Sequence, residues 1–297
     1  MRLNITQIIV LAVSVLLFFM LLTLGRTKPL HKKGAESETD TLPPLNDQAM
    51  LAGAKAALDS TQLNVLSNLE QQKAQAKNLE EEVLILKLIS RTWNEFGNFA
   101  AGAYYAQKVA ELKPSGEAWA ISGSSYGIAF NKEVADPALK KYLGHKSISA
   151  FQKALELEPD TIQHGINEAI MYVELSMVDT KVMPMKGAQK LLELDKKHPD
   201  NISINLQLGR LSFNRSGDMQ KAIPRFEKVL KLSEKLANVE AGIVLEAHFS
   251  LAEAFAKISE KEKAVFHYKK CIELTADNPS VQKELKASLE KIEKETK

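Results

Sequence analysis

The chain has 297 residues, of which 45% are hydrophobic and 26% charged, enough apolar material for a large core. Its 39 basic and 37 acidic side chains are interleaved along most of the sequence, so it carries no basic footprint of the kind that binds nucleic acid. Cys271 is the single cysteine, which excludes an intramolecular disulfide and any multi-cysteine metal site, and only 14 glycines and 10 prolines interrupt what reads as a helical chain.

From Leu3 through Leu24 no residue is charged, and Ile8 to Leu22 is nearly pure hydrocarbon. After a short tail over 1–7, this predicts a single transmembrane helix over 8–25, since a bilayer span needs about 20 apolar residues. A cleaved signal peptide has a shorter apolar region, about 7–15 residues, and a small-x-small cleavage site that Thr23-Leu24-Gly25 matches poorly. An uncleaved signal anchor is therefore expected. No cysteine follows it, which excludes a lipoprotein anchor. Arg2 lies on one side, and Arg26, Lys28, Lys32 and Lys33 on the other. Taken literally this keeps the rest of the chain in the cytoplasm, whereas so short a tail suits export. Periplasmic and cytoplasmic placement at a bacterial inner membrane both stay open. Residues 26–45 are basic first, then acidic at Glu36, Glu38 and Asp40, and end at Pro43-Pro44, which reads as a disordered, flexible linker.

Asn46-Asp47 offers a helix cap before the apolar stripe of Ala49, Leu51, Ala52, Ala56 and Leu58. A second helix through Leu63, Leu66 and Leu69 follows Asp59-Ser60, and together they predict N-terminal capping helices over 46–79. From there the sequence repeats. Lys108-Val109-Ala110-Glu111-Leu112-Lys113-Pro114 is echoed by Lys153-Ala154-Leu155-Glu156-Leu157-Glu158-Pro159, and between them stands Trp119-x-x-x-Gly123-x-x-Tyr126. A Trp-Gly-Tyr helix followed by a helix ending in Ala-Leu-Glu-Leu-x-Pro resembles the tetratricopeptide repeat family.

The resemblance covers about residues 80–277 and implies an all-α, right-handed solenoid of five helix pairs. The family's small residue in each first helix falls at Ser90, Gly123, Ala169, Gly209 and Ala252, followed three residues later by Trp93, Tyr126, Tyr172, Ser212 and Phe255. Pro114, Pro159 and Pro199 stop three of the second helices. Ser90 and Gly123 keep the family's period of about 34 residues, while later intervals are longer. The extra residues fall in Asn131–His145, Val178–Met185 and Ser233–Gly242, all at helix connections. The third repeat is the least regular, with Gly165 and Glu168 where the family favours larger and apolar side chains. Residues 278–297 close the chain as a capping helix with Val281, Leu285, Leu289 and Ile292 on one face and Lys and Glu on the other.

Gly123-Ser124-Ser125-Tyr126-Gly127 matches the G-x-S-x-G nucleophile elbow, which needs a strand before it and a helix after it. Here it sits inside one predicted helix, so a serine hydrolase acting through Ser125 is only the remote alternative. None of the six histidines falls in a zinc spacing, and no phosphate-binding glycine motif occurs. His248, His267 and Cys271 sit at helix-packing positions. No catalytic residue, metal or cofactor is expected, nor a small-molecule substrate.

The resemblance implies that the first helix of each repeat lines a concave, protein-binding groove. On that register the groove residues are Lys87, Arg91, Asn94 and Ser124 in the first two repeats, with Glu117 and Ile170 beside them. Arg210, Phe213, Asn214, Phe249 and Glu253 follow in the last two, with Lys257. Phe213 and Phe249 are placed as anchors for a partner side chain, and Arg91 and Arg210 as bidentate holders of a carboxylate. The family's chaperone-tail clamp is not reproduced, because Arg91 and Ser124 stand where asparagines would. The chain thus resembles membrane-anchored scaffolds of secretion or envelope assembly that bind a protein or peptide. A cytochrome c maturation accessory and an organellar import receptor share the same plan.

Overall fold

The computed structural model of the protein describes residues 45–236 and 238–294. The expected tail, transmembrane helix and linker up to residue 44 lie outside them. Among the described residues no helix is long and apolar enough to cross a membrane.

Helices make up the described fold, and no strand occurs among the described residues. The first are α1 (Asp47–Ala56), α2 (Ser60–Ala74), α3 (Leu79–Glu95), α4 (Phe99–Leu112), α5 (Gly116–Lys132), α6 (Pro137–Leu157) and α7 (Ile162–Leu175). They are followed by α8 (Met185–Lys197), α9 (Ile202–Leu211), α10 (Met219–Ser233), α11 (Ala241–Lys257), α12 (Lys261–Leu274) and α13 (Pro279–Lys294). Their starts are written in the sequence. Asn46, Asp59, Asn78, Asn98, Ser115, Asp136, Asn201 and Asp218 each accept a hydrogen bond from a backbone N–H of the first turn, satisfying donors that a helix leaves orphaned.

Almost all packing joins helices that are neighbours in sequence, which is how a solenoid is held. From α3 onward the helices pair as α3/α4, α5/α6, α7/α8, α9/α10 and α11/α12, and α13 closes the far end. In α5/α6 and α9/α10 the small residue of the first helix lies under a ring of the second, whereas in α7/α8 the small residue is Gly187 of the second helix, set against the Ala169 carbonyl. A Cβ built on Gly123 meets the Phe151 ring at 2.8 Å, and one on Gly209 meets the Phe226 ring at 2.7 Å. Ser147 Oγ also donates to the Gly123 carbonyl at 2.7 Å. Ala169 and Ala252 are fully buried, as are Trp93 and Tyr126.

The N-terminal cap is two elements with different jobs. While α2 packs on α3 as a cap should, α1 lies along α4. At its first turn, Asp47 accepts from Tyr142 and pairs with Lys146 of α6 at 3.1 Å. Its last turn is tied to α2 by Lys55–Glu70 at 2.9 Å.

The irregular third repeat has a polar core. Glu168 is 1% exposed yet meets Lys190 Nζ at 2.8 Å and accepts from Gln152 Nε2 at 3.0 Å. A buried carboxylate is tolerable only when paired in this way. Gly165 makes room for Leu194 of α8, whose Cδ1 would lie 3.2 Å from a Cβ there. In the next pair buried Asn205 and Arg225 form a second network with Asp195.

Cys271 is buried, and burial pushes its thiol up to about 12. Between α11 and α12, His248 Nδ1 and His267 Nδ1 stand 2.9 Å apart, one donating to the other. His267 is stacked on Phe255 and meets Phe266 edge-on. Burial, followed by the neighbouring His248, pushes His267 down to about 4. Both imidazoles are structural.

Two outcomes follow for stability. Gly123→Leu drives a side chain into Phe151 and should cost on the order of 1–3 kcal/mol, read as a lowered Tm. An unchanged Tm would mean that the ring-over-glycine contact is not where the pair is held. His267, neutral in the fold with a pKa of about 4 against about 6.5 in an unfolded chain, favours the folded state above pH 6.5 and loses that contribution as pH falls toward 4. Thermal melts from pH 7 to pH 4 should therefore fall more steeply for the native chain than for His267→Phe.

Candidate functional site

Cavities open between some of the first helices and reach the second helices behind them. One of about 700 Å³ lies between α3 and α5. Its floor is apolar, from Val83, Val109, Ala118 and Ile121, and its α3 wall carries Lys87, Ser90, Arg91 and Asn94. These charges are not equally free. Arg91 bonds Glu95 one turn on at 2.8 Å in open water, a contact worth little. Lys113 pairs with Glu80 at one end, at 3.0 Å. Lys87 forms no ion pair among the described residues, and Ile121 is 53% exposed.

A second cavity of about 420 Å³ lies between α7 and α9 and is lined by Ile170, Gln207, Arg210 and Asn214. Here the structure corrects the expectation for Arg210. Its guanidinium is gripped in bidentate fashion by Glu246 of α11, so it is not open to a partner's carboxylate. Arg215 is likewise taken, by Glu174 at 3.3 Å. Among the described residues, the amides of Gln207 and Asn214 form no hydrogen bond.

Phe213 is corrected too. It packs edge-on against Phe226, with centroids 6.4 Å apart, and Lys257 Nζ covers its ring at 4.1 Å. The cause is a π-helical turn over Ser212–Ser216 that continues α9 until Gly217 leaves it in the left-handed region at φ 64°. A wider coil rotates every residue past Leu211 off the spacing of an α-helix. Arg210, Phe213 and Asn214 therefore do not share one face.

The third cavity, about 390 Å³, lies between α11 and α13 and includes Phe249, Val281, Glu284 and Ser288. Phe249 is 42% exposed and rests edge-on against Tyr268. Glu253 accepts a hydrogen bond from the Tyr268 hydroxyl, which holds that phenol well above its ordinary range, after burial. Ser124 is exposed but does not line the first cavity, which Ser125 does. Ser125 lies inside α5 and donates to the Ile121 carbonyl at 2.8 Å, so the strand–turn–helix of a nucleophile elbow is not built around it. Among the described residues no group of three or more His, Cys, Asp or Glu could hold a metal.

Sequence reasoning thus reaches Lys87, Arg91 and Asn94 in one cavity, Arg210 and Asn214 in a second and Phe249 in a third. It missed Gln207 and Glu284. Gln207 lies three residues before Arg210, so extending the helical spacing backward from that position would have found it.

Residues 245–278 match the tetratricopeptide repeat family. No curated protein matches the chain by sequence. Among solved structures, the chain resembles the crystal structure of the APC/C hetero-tetramer Cut9–Hcn1 at a TM-score of 0.52 and 15% identity, covering 84% of this chain and 42% of the other. This chain thus spans less than half of that one. TTC0263, a thermophilic tetratricopeptide protein of Thermus thermophilus, gives a TM-score of 0.47 at 15% identity, over 70% of this chain and 98% of its own. By its matched repeat and its stacked helix pairs, the chain is a tetratricopeptide-type α-solenoid.

Proposed function

We propose that this protein is a membrane-anchored interaction scaffold that binds an extended segment of a partner protein along the first-helix face, as part of an envelope or secretion assembly. One observation carries the reading. Cavities open between α3 and α5, between α7 and α9, and between α11 and the closing helix α13, pairing apolar surface with Lys87, Gln207 and Glu284, which form no ion pair or hydrogen bond among the described residues. Recurring apolar pockets with a few convergent polar groups suit a chain laid across the repeats. The α3/α5 cavity is the anchor, because it holds Lys87, which forms no ion pair among the described residues, beside exposed Ile121. The membrane part of the proposal rests on the uncharged stretch from Leu3 to Leu24.

A peptide selected from a display library against the full chain tests the groove. Lys87→Ala with Ile121→Ala should weaken it by about 2 kcal/mol, roughly thirtyfold, with Tm unchanged. Phe213→Ala should do the opposite, lowering Tm while sparing affinity, because its ring is packed. Wild-type affinity in the Lys87/Ile121 variant would remove the α3/α5 cavity from the binding face. For the anchor, carbonate extraction should leave the full-length chain in the membrane pellet; recovery in the soluble fraction, or a mature N-terminus near Arg26, would overturn it.

A further inference from the structure

Large hydrophobic side chains that are at least 60% exposed are rare here and concentrated. Val134 is 87% exposed, Met183 68%, and Met177 and Met185 61% each; Leu84 of α3, at 67%, is the other one among the described residues. Val134 sits on the α5–α6 connection, and the methionines on or beside the α7–α8 connection. Both connections join the first to the second helix of a pair, so in a stacked array they emerge on the same edge. They also coincide with two of the segments that exceed the repeat period.

Neither loop is loose. Val178 and Val182 turn back into the cluster of Phe130, Leu143 and Leu175, and Asp179 is fixed by His145 Nε2 at 2.7 Å and by the Lys181 backbone N–H at 3.1 Å. In the other loop Glu133 accepts from the backbone of Ala135 and Asp136, and Asp136 caps α6. The acidic groups of the two loops are therefore engaged internally. Around them stand Lys132, Lys140, Lys141, Lys181 and Lys186, none in an ion pair among the described residues; Lys132, Lys140 and Lys186 lie over aromatic rings, which leaves Lys141 and Lys181.

Braced apolar tips among surplus cations, with no acid left over, complement a surface that is anionic outside and apolar beneath. The tips lie on two separate connections, which suits a laterally extended contact better than a single partner side chain in a pocket. We infer that the edge formed by the α5–α6 and α7–α8 connections docks on an anionic lipid surface, with Val134, Met177 and Met183 entering the interface and Lys141 and Lys181 meeting the headgroups. The inference stands independently of the groove.

The test uses the full chain carrying Met183→Cys, labelled with an environment-sensitive fluorophore; Cys271 is buried and competes poorly for the label. The protein is incorporated into vesicles of phosphatidylcholine alone or of phosphatidylcholine with phosphatidylglycerol. Emission should shift to the blue and brighten only with phosphatidylglycerol. High salt should reverse the shift, since a contact between exposed charges is screened within about 3 Å at 1 M. Lys141→Gln with Lys181→Gln should abolish it, both changes being at surface positions that leave the core intact. A label at Gln75→Cys, on the connection from α2 to α3, should report no change in either vesicle. Equal emission in both vesicle types, or a shift indifferent to salt and to the two lysine changes, would overturn the inference. A shift produced by a bound partner protein and not by lipid would overturn it as well and assign the edge to protein contact.

Discussion

The array depends on a close approach between the two helices of a pair, made by an aromatic ring of the second over a small residue of the first in two pairs and by Gly187 against the Ala169 carbonyl in a third. Gly123 under Phe151 and Gly209 under Phe226 are the two clearest cases. The contact fixes the crossing of each pair, and because each pair touches only its neighbours, the pair geometry is passed along the array without a central core. The groove is a by-product. Once the second helices are held behind, the first helices have a free face, and the imperfect fit between successive first helices leaves the cavities.

A second device seals the same junctions. Lysines lie over the rings that the pairs bury: Lys153 over Trp119 at 4.0 Å, Lys186 over Tyr172 at 4.2 Å, Lys146 over Tyr126 at 5.5 Å and Lys263 over Phe255 at 5.2 Å. In each case the ring is on the first helix and the lysine on the second. The aliphatic stem covers apolar surface while the ammonium keeps water and gains the ring's electrostatic attraction. These lysines are thus held on the chain's own joints and not presented outward as a charged surface.

Helix identity, caps and pairing were legible because they are encoded locally. Asn, Asp and Ser at the starts, prolines after the ends and small residues at the crossings each act within a turn or two. Lys87, Arg91 and Asn94 came together as their spacing requires, since α3 is regular. What was not legible depends on distant partners. Nothing near Arg210 in the sequence announces that Glu246, on another helix pair, takes its guanidinium. Nothing before Gly217 signals the π-helical turn that sets Phe213 against Phe226. Nor does the amphipathic stripe of α1 say that it will run along α4 and reach α6, because that stripe would serve equally well in a simple cap.

The bridges between first helices make the groove mechanically uneven. Arg215–Glu174 ties the end of α9 to α7, and Arg210–Glu246 ties α9 to α11, so three successive first helices are cross-braced across their open side. Among the described residues no ion pair or hydrogen bond joins α3 to α5. A solenoid bends most easily where its neighbours share only apolar contacts, since those slide with little change in energy whereas a paired charge must be stretched or broken. The stretch from α7 to α11 is therefore the stiffer part of the array, and the α3/α5 cavity lies where the first helices share no such bridge, with the exposed Lys113–Glu80 pair at its end.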